Sequence, residues 1–302
     1  MAKRHDKILA FAAKMMGIND NKRIVKQTAP EGVDVYDNIR YLEGDNPMHL
    51  LDVYKPQGVE ETLPVIVDIH GGGWIYGTKD INKYFGMSLA KEGFVVVSMS
   101  YRLITETHFN NMLGDVFAAF KWVKENVASY GGDLNNVFLA GDSAGGHLAL
   151  MSLSVSVDEE LQKKFNVTPC LDFKAAGLIC PATNLAPFIK MKLPFMKHLI
   201  SLFLGENEGE GYLEHLTPKN NAIEKFPPMF INTCYGDFIR SHSHDFLNAC
   251  KEKGIEPYFI DYKEEDATHK LEHVYNILYP EWEESIDTNA QMLEFFRKHI
   301  TE

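Results

Sequence analysis

Basic residues are the minority charge: 30 lysines and arginines stand against 42 acidic residues, a formal net charge of −12 over 302 residues. That balance disfavours nucleic acid and anionic membrane surfaces as general partners. Cysteine is scarce. Cys170, Cys180, Cys234 and Cys250 make neither a C-x-x-C pair nor a zinc-finger spacing, so no structural-zinc or dithiol framework is encoded. Cys180 and Cys234 lie in apolar runs and are expected as buried thiols, which fits a reducing, cytoplasmic setting. No apolar run reaches membrane-spanning length, so stable membrane insertion is not expected. The basic opening before Ile8–Ala13 resembles a secretory leader, but Lys14 interrupts the run and no convincing cleavage site follows. Ile8, Leu9, Phe11, Ala12, Met15 and Met16 instead suit one face of a short helix. Internal repeats and low-complexity segments are also missing.

What is present is a 45% hydrophobic chain able to bury a substantial core, with apolar strand-like runs alternating with helical ones. Residues 33–56 read as two strands about a turn at Glu43–Pro47. Leu63–His70, Phe94–Ser100, Val137–Ala140, Ala175–Cys180, Met229–Thr233 and Tyr258–Tyr262 read as further buried strands, with Asp68 the polar exception in the first. Between them, Val116, Ala119, Phe120, Val123 and Val127 recur at helical spacing up to Gly131-Gly132-Asp133, and Leu148–Leu153 continues as a helix. A last helix is expected from Pro280 to Arg297-Lys298-His299, with Trp282, Ile286, Leu293, Phe296 and Ile300 as its apolar face. Strand–helix alternation of this kind implies parallel pairing through crossovers, and the length allows one large α/β domain or two small ones. Residues 184–222 interrupt the alternation. The Phe-, Met- and Leu-rich stretch 187–204 reads as a helical cap, shared with about residues 1–30, or as an ordinary crossover helix; its apolar side chains serve cap packing or an acyl-chain groove.

Two strings carry chemistry. Gly141-Asp142-Ser143-Ala144-Gly145-Gly146 is a G-x-S-x-G pattern between a strand and a helix, the context in which a sharp turn holds a serine hydroxyl away from the sheet. His70-Gly71-Gly72-Gly73-Trp74 is a glycine turn after a strand, with no G-x-G-x-x-G or G-K-[ST] to suggest a phosphate cradle. Together they point to acyl transfer: Ser143 as nucleophile, the N–H groups of Gly72, Gly73 and Ala144 as oxyanion donors, His70 as a brace for the turn and Trp74 at the pocket mouth.

The pair resembles the hormone-sensitive-lipase-like branch of the α/β-hydrolases, the bacterial family IV esterases, over roughly residues 35–300. Tyr101-Arg102-Leu103 and Asp115 match further family positions. The resemblance implies an α/β-hydrolase fold in a single domain spanning 1–302: a mostly parallel central sheet with helices on both faces and a small helical cap. It implies the triad order serine, acid, histidine, which assigns the acid to Asp237 after the Met229–Thr233 strand rather than Asp245, read as a solvated surface carboxylate. It assigns the base to His273, in His273-Val274-Tyr275, over His269, read as a loop histidine. The chain departs from the family at Ile104-Thr105-Glu106, at Asp237-Phe238-Ile239 and in the charged loop 263–279, which bear on pocket shape and substrate. His242-Ser243-His244-Asp245 reads as a solvated helix start and not a metal site, and His147 as a packed helix residue. The expected function is hydrolysis of small, short-acyl carboxylic esters through an acyl-enzyme, with no cofactor or metal. An amidase or peptidase, a carbohydrate deacetylase, and a non-catalytic binding relative are the alternatives. The partner expected is the small-molecule ester substrate, and a homodimer is left open.

Overall fold

The structure, a computed structural model, describes residues 2–185, 194–205 and 210–301. Eight strands form one sheet: β1 (Val33–Arg40), β2 (Leu50–Pro56), β3 (Leu63–Ile69), β4 (Val95–Met99), β5 (Gly132–Asp142), β6 (Phe173–Ile179), β7 (Met229–Cys234) and β8 (Tyr258–Tyr262), in the order β1-β2-β4-β3-β5-β6-β7-β8. β1/β2 and β2/β4 pair antiparallel, and every pair from β4/β3 to β7/β8 is parallel.

The near-continuous apolar strands follow from burial on both faces. Alternate side chains part into two cores. Val65, Val67, Ile69, Val97 and Leu139 face one side, where α3 (Phe109–Asn126), α4 (Ser143–Ser156) and α5 (Glu159–Phe165) pack through Phe109, Phe120, Leu148 and Phe165. Ile66, Val96 and Phe138 face the other, closed by α2 (Lys83–Lys91) and the C-terminal helix α10 (Glu283–Arg297) through Phe85, Leu89, Met292 and Phe296. This is the α/β-hydrolase arrangement expected from the motifs.

Several expectations need correction. β8 is an outer strand and only half-buried, because no strand covers its far side. The last helix begins at Glu283, three residues beyond Pro280, with Trp282 extended before it. Its buried stripe is Met292, Leu293 and Phe296, whereas Ile286 is 57% exposed and Ile300 lies past the helix end. The N-terminal helix α1 runs from Ala2 to Ile24, far longer than the apolar stretch suggested. Only Leu9 of its expected apolar face is buried, and Ile8, Phe11 and Met15 are exposed. Asp68 needs no correction: the expected polar exception in β3 is buried with its strand, held by Asn82 and Ser98.

Within the expected cap, α6 (Pro194–Leu204) and α7 (Glu210–His215) are helical, and α1 packs against α6. Residues 186–193 and 206–209, including part of the 187–204 stretch, lie outside the described residues.

Candidate active site

Ser143 sits at the join of β5 and α4, at the C-terminal edge of the parallel strands, where loops from several strands converge. Its φ of 51° is unusual for a residue other than glycine, and the turn that imposes it lifts the hydroxyl off the sheet. Gly145 makes that turn possible: a Cβ there would stand 1.9 Å from the Ile69 carbonyl oxygen and 2.5 Å from that of His70. The elbow is thus pressed against the end of β3, which carries the glycine turn.

In that turn Gly72 has φ 110° and Gly73 φ 60°, left-handed conformations that rotate successive N–H groups. The N–H of Gly71 is already committed, donating to Asp142 Oδ1 at 2.9 Å. Those of Gly72 and Gly73 have no acceptor among the described residues, and Ala144 N–H lies in the first turn of α4, where helical N–H groups lack partners. His70 braces the turn as expected: its Nδ1–H donates to the Gly71 carbonyl at 2.7 Å and its ring stacks on Tyr101 at 4.4 Å. Burial above all lowers its pKa to about 4, so it stays neutral.

Asp237 follows β7, and His273 lies in the loop before the short helix α9 (Tyr275–Leu278). These two residues and Ser143 come from widely separated parts of the chain, and the fold joins them. The Ser143 hydroxyl reaches His273 Nε2 at 2.8 Å, and His273 Nδ1–H donates to Asp237 Oδ1 at 2.7 Å. The imidazole is fixed from behind by Val274 at φ 54°, rare for a β-branched residue, whose N–H points at Cys180 Sγ. Asp237 also accepts from the Ile239 N–H at 2.9 Å and the Thr233 hydroxyl at 2.8 Å. Burial works to raise its pKa, but His273 together with these donors outweighs that and holds the carboxyl below its usual range.

His269 lies elsewhere: its Nδ1–H donates to Glu284 Oε2 at 2.8 Å and its ring stacks on Trp282 at 4.5 Å. Asp245 is exposed at the surface of α8 (Arg240–Glu252). His147 is buried against Trp74 and donates to the Leu216 carbonyl at 2.8 Å, the packed role expected of it. The solvated reading of His242–Asp245 is corrected in part: His242 and Ser243 are buried, because α8 turns them under the Thr183 segment, while His244 pairs with Asp261.

A cavity of about 760 Å³ opens on Ser143 and His273. Its walls include Gly72, Gly73, Tyr76, Phe238, Glu272 and Tyr279, with Met16, Asn19, Asp20 and Arg23 of α1 as a roof. Trp74 is not in this wall. It has φ 63° and is buried between His147 and Phe203, so Tyr76, two residues on, takes the place expected of it. Glycine-turn spacing could not reveal which aromatic faces inward. One further contributor also escaped sequence reasoning. Asn82 donates to Asp142 at 2.9 Å and, more loosely, to Asp68, tying the elbow to β3. Both carboxyls titrate high through burial, Asp68 to about 7 and Asp142 to about 6. Phe238, exposed at the rim, lies 4.5 Å from the His273 ring.

Cys180, Asp237 and His273 approach closely enough to hold a metal ion. The chemistry of the set does not favour one: both ring nitrogens of His273 are engaged, and burial first of all pushes the Cys180 thiol well up, away from the thiolate a metal needs.

Comparison with known proteins finds esterases among the relatives of this chain. The BD-FAE family model matches residues 51–244. Carboxylesterase NlhH of Mycobacterium tuberculosis is 39% identical over 216 residues, 67% of this chain and 65% of that protein. Isoprenylcysteine alpha-carbonyl methylesterase ICME of Arabidopsis thaliana is 31% identical over 231 residues, 72% of this chain and 53% of its own. The chain spans about half the length of the isoprenylcysteine methylesterase relatives it matches. Esterase B of Lactobacillus Rhamnosis superposes with a TM-score of 0.92 at 26% identity, covering 98% of this chain and 95% of that one; it has also been solved inhibited by a C4-C4 tributyrin phosphonate. The chain belongs to the BD-FAE family, within the hormone-sensitive-lipase-like branch of the α/β-hydrolases, the bacterial family IV esterases.

Proposed function

We propose that this chain is a serine carboxylic-ester hydrolase that cleaves small, short-acyl esters through an acyl-enzyme intermediate. The relay from Ser143 Oγ to His273 Nε2 and from His273 Nδ1 to Asp237 carries the reading. Ser143 attacks the ester carbonyl carbon as its proton passes to His273 Nε2, and Asp237 steadies the imidazolium. The carbonyl oxygen becomes an oxyanion facing the N–H groups of Gly72, Gly73 and Ala144. Collapse breaks the bond to the alkoxide, which takes the proton from His273 and leaves as alcohol. Water then repeats the sequence on the acyl-enzyme, releasing the acid and restoring Ser143.

The size of the cavity supports a small substrate. The likeness to esterase B, bound in one structure by a phosphonate with C4 chains, supports a short acyl group. The complete serine, histidine and aspartate set weighs against a non-catalytic binding role. A single catalytic unit capped by α1, α6 and α7 is the organisation we propose. Its four unbridged cysteines support a cytoplasmic setting.

Turnover of p-nitrophenyl butyrate and of the matching anilide, by the full chain and by Ser143→Ala, tests the reading. Ester cleavage lost in the variant, with the anilide much slower, is the expected result. Equal cleavage by the variant would overturn the assignment of Ser143, and preference for the anilide would make the enzyme an amidase.

A further inference from the structure

α1 has two working faces. Its inner side roofs the cavity through Met16, Asn19, Asp20 and Arg23. Its outer side presents Ile8, Phe11, Met15 and Ile18, all exposed, with Phe11 at 65%. Their three-four-three spacing places them along one stripe of the helix. Beside the stripe stand Lys7, Lys14 and Lys22, exposed and in no ion pair with a described residue. The two acids of the helix are engaged elsewhere: Asp6 pairs with His198 of α6, and Asp20 with Arg23 at the cavity roof. Over its whole length α1 carries six lysines and arginines against two aspartates, in a chain whose net charge is −12. The overall charge disfavours an anionic surface only on average, and this face inverts the sign locally.

We infer that the outer face of α1 is a docking surface for an anionic phospholipid bilayer, on which the protein adsorbs without spanning it. Apolar side chains flanked by lysines are the composition by which a helix lies in the headgroup layer, and a lysine near an anionic leaflet gains attraction that neutral lipid does not offer. A second copy of the chain fits less well, since a two-fold contact would set the same lysines against each other. Because the inner face of the same helix covers the cavity, adsorption would hold the pocket beside the interface, where amphiphilic esters concentrate.

The test uses the full chain and does not depend on turnover. Co-sedimentation is measured with vesicles of phosphatidylcholine alone and of phosphatidylcholine mixed with phosphatidylglycerol, for wild type, Ser143→Ala, the pair Phe11→Glu with Ile18→Glu, and the triple Lys7→Glu, Lys14→Glu and Lys22→Glu. Wild type and Ser143→Ala are expected to bind the mixed vesicles and not the neutral ones. Both multiple variants are expected to bind about tenfold or more weakly while cleaving a soluble ester at the wild-type rate. The charge triple keeps the test decisive if the apolar pair fails to fold. Absence of binding to mixed vesicles, binding indifferent to lipid charge, or binding unchanged in the triple would overturn the proposal. So would a dimer in sedimentation analysis that Phe11→Glu dissociates, which would assign the face to a second copy. Vesicle binding without any ester turnover would sink the hydrolase reading and leave this one standing.

Discussion

Asp237→Asn separates the two services a buried carboxylate can render to an imidazole, orientation and charge. Asp237 Oδ1 accepts from both His273 Nδ1–H and the Ile239 N–H, while Oδ2 accepts from the Thr233 hydroxyl. An asparagine can keep its carbonyl oxygen at the Oδ1 position, since an NH₂ there would face the Ile239 donor. Its NH₂ then meets Thr233 Oγ, which can rotate to accept. The fold, the ring orientation and the Nδ1–H tautomer should therefore survive, and only the negative charge is lost. At about 4 Å between charge centres and an effective dielectric near 20, that charge stabilises the transition-state imidazolium by roughly 4 kcal/mol. The barrier rises accordingly, and kcat for p-nitrophenyl butyrate should fall about a thousandfold, with thermal unfolding within a few degrees of wild type. Asp237→Ala should in addition lose stability by about 1–3 kcal/mol, because the buried Ile239 N–H is stranded. A kcat for Asp237→Asn within tenfold of wild type would refute the reasoning, as would a stability loss equal to that of the alanine variant.

Further outcomes are expected at two histidines, two glycines and one buried acid. His273→Ala should abolish turnover, whereas His269→Ala should leave kcat essentially unchanged and cost about 1 kcal/mol of stability through its lost stack on Trp282 and its bond to Glu284; inactivation by His269→Ala in a folded protein would reverse the assignment. Gly145→Ala should lower the unfolding temperature sharply or prevent folding, a cost of about 3 kcal/mol or more, since its Cβ would overlap backbone oxygen at 1.9 Å. Gly73→Ala, with nothing within 4 Å of its Cβ, should lose only about 1–2 kcal/mol to its positive φ. Asp68, raised by burial and next by Asp142 from 3.8 to about 7, keeps its proton in the folded state over a range where the unfolded chain has lost it. Stability should therefore fall as pH rises from about 4 to about 7, and Asp68→Asn should flatten that slope in urea titrations at pH 5 and pH 8, with parallel curves contradicting the coupling.

The linear order of residues was enough to determine the parts whose physics is local. G-D-S-A-G-G after an apolar run encodes a strand, a tight bend and a helix, because glycine alone fits where Gly145 meets the Ile69 carbonyl. The strands were legible as apolar runs because both faces of the sheet are covered. Asp237 and His273 were reachable only through resemblance to a family, since nothing in either residue's neighbourhood states that it will meet a serine far away in the chain. Tertiary structure decided what depends on which side of an element faces which neighbour. It put Tyr76 and not Trp74 in the cavity wall, buried His242, and tied Asn82 to Asp142. It also left Ile8, Phe11, Met15 and Ile18 of α1 outside while turning Leu9 and Met16 inward. A helical stripe of isoleucine, phenylalanine and methionine reads the same in sequence whether it is covered or bare, because periodicity sets only which residues share a face, and packing decides whether anything lies against it.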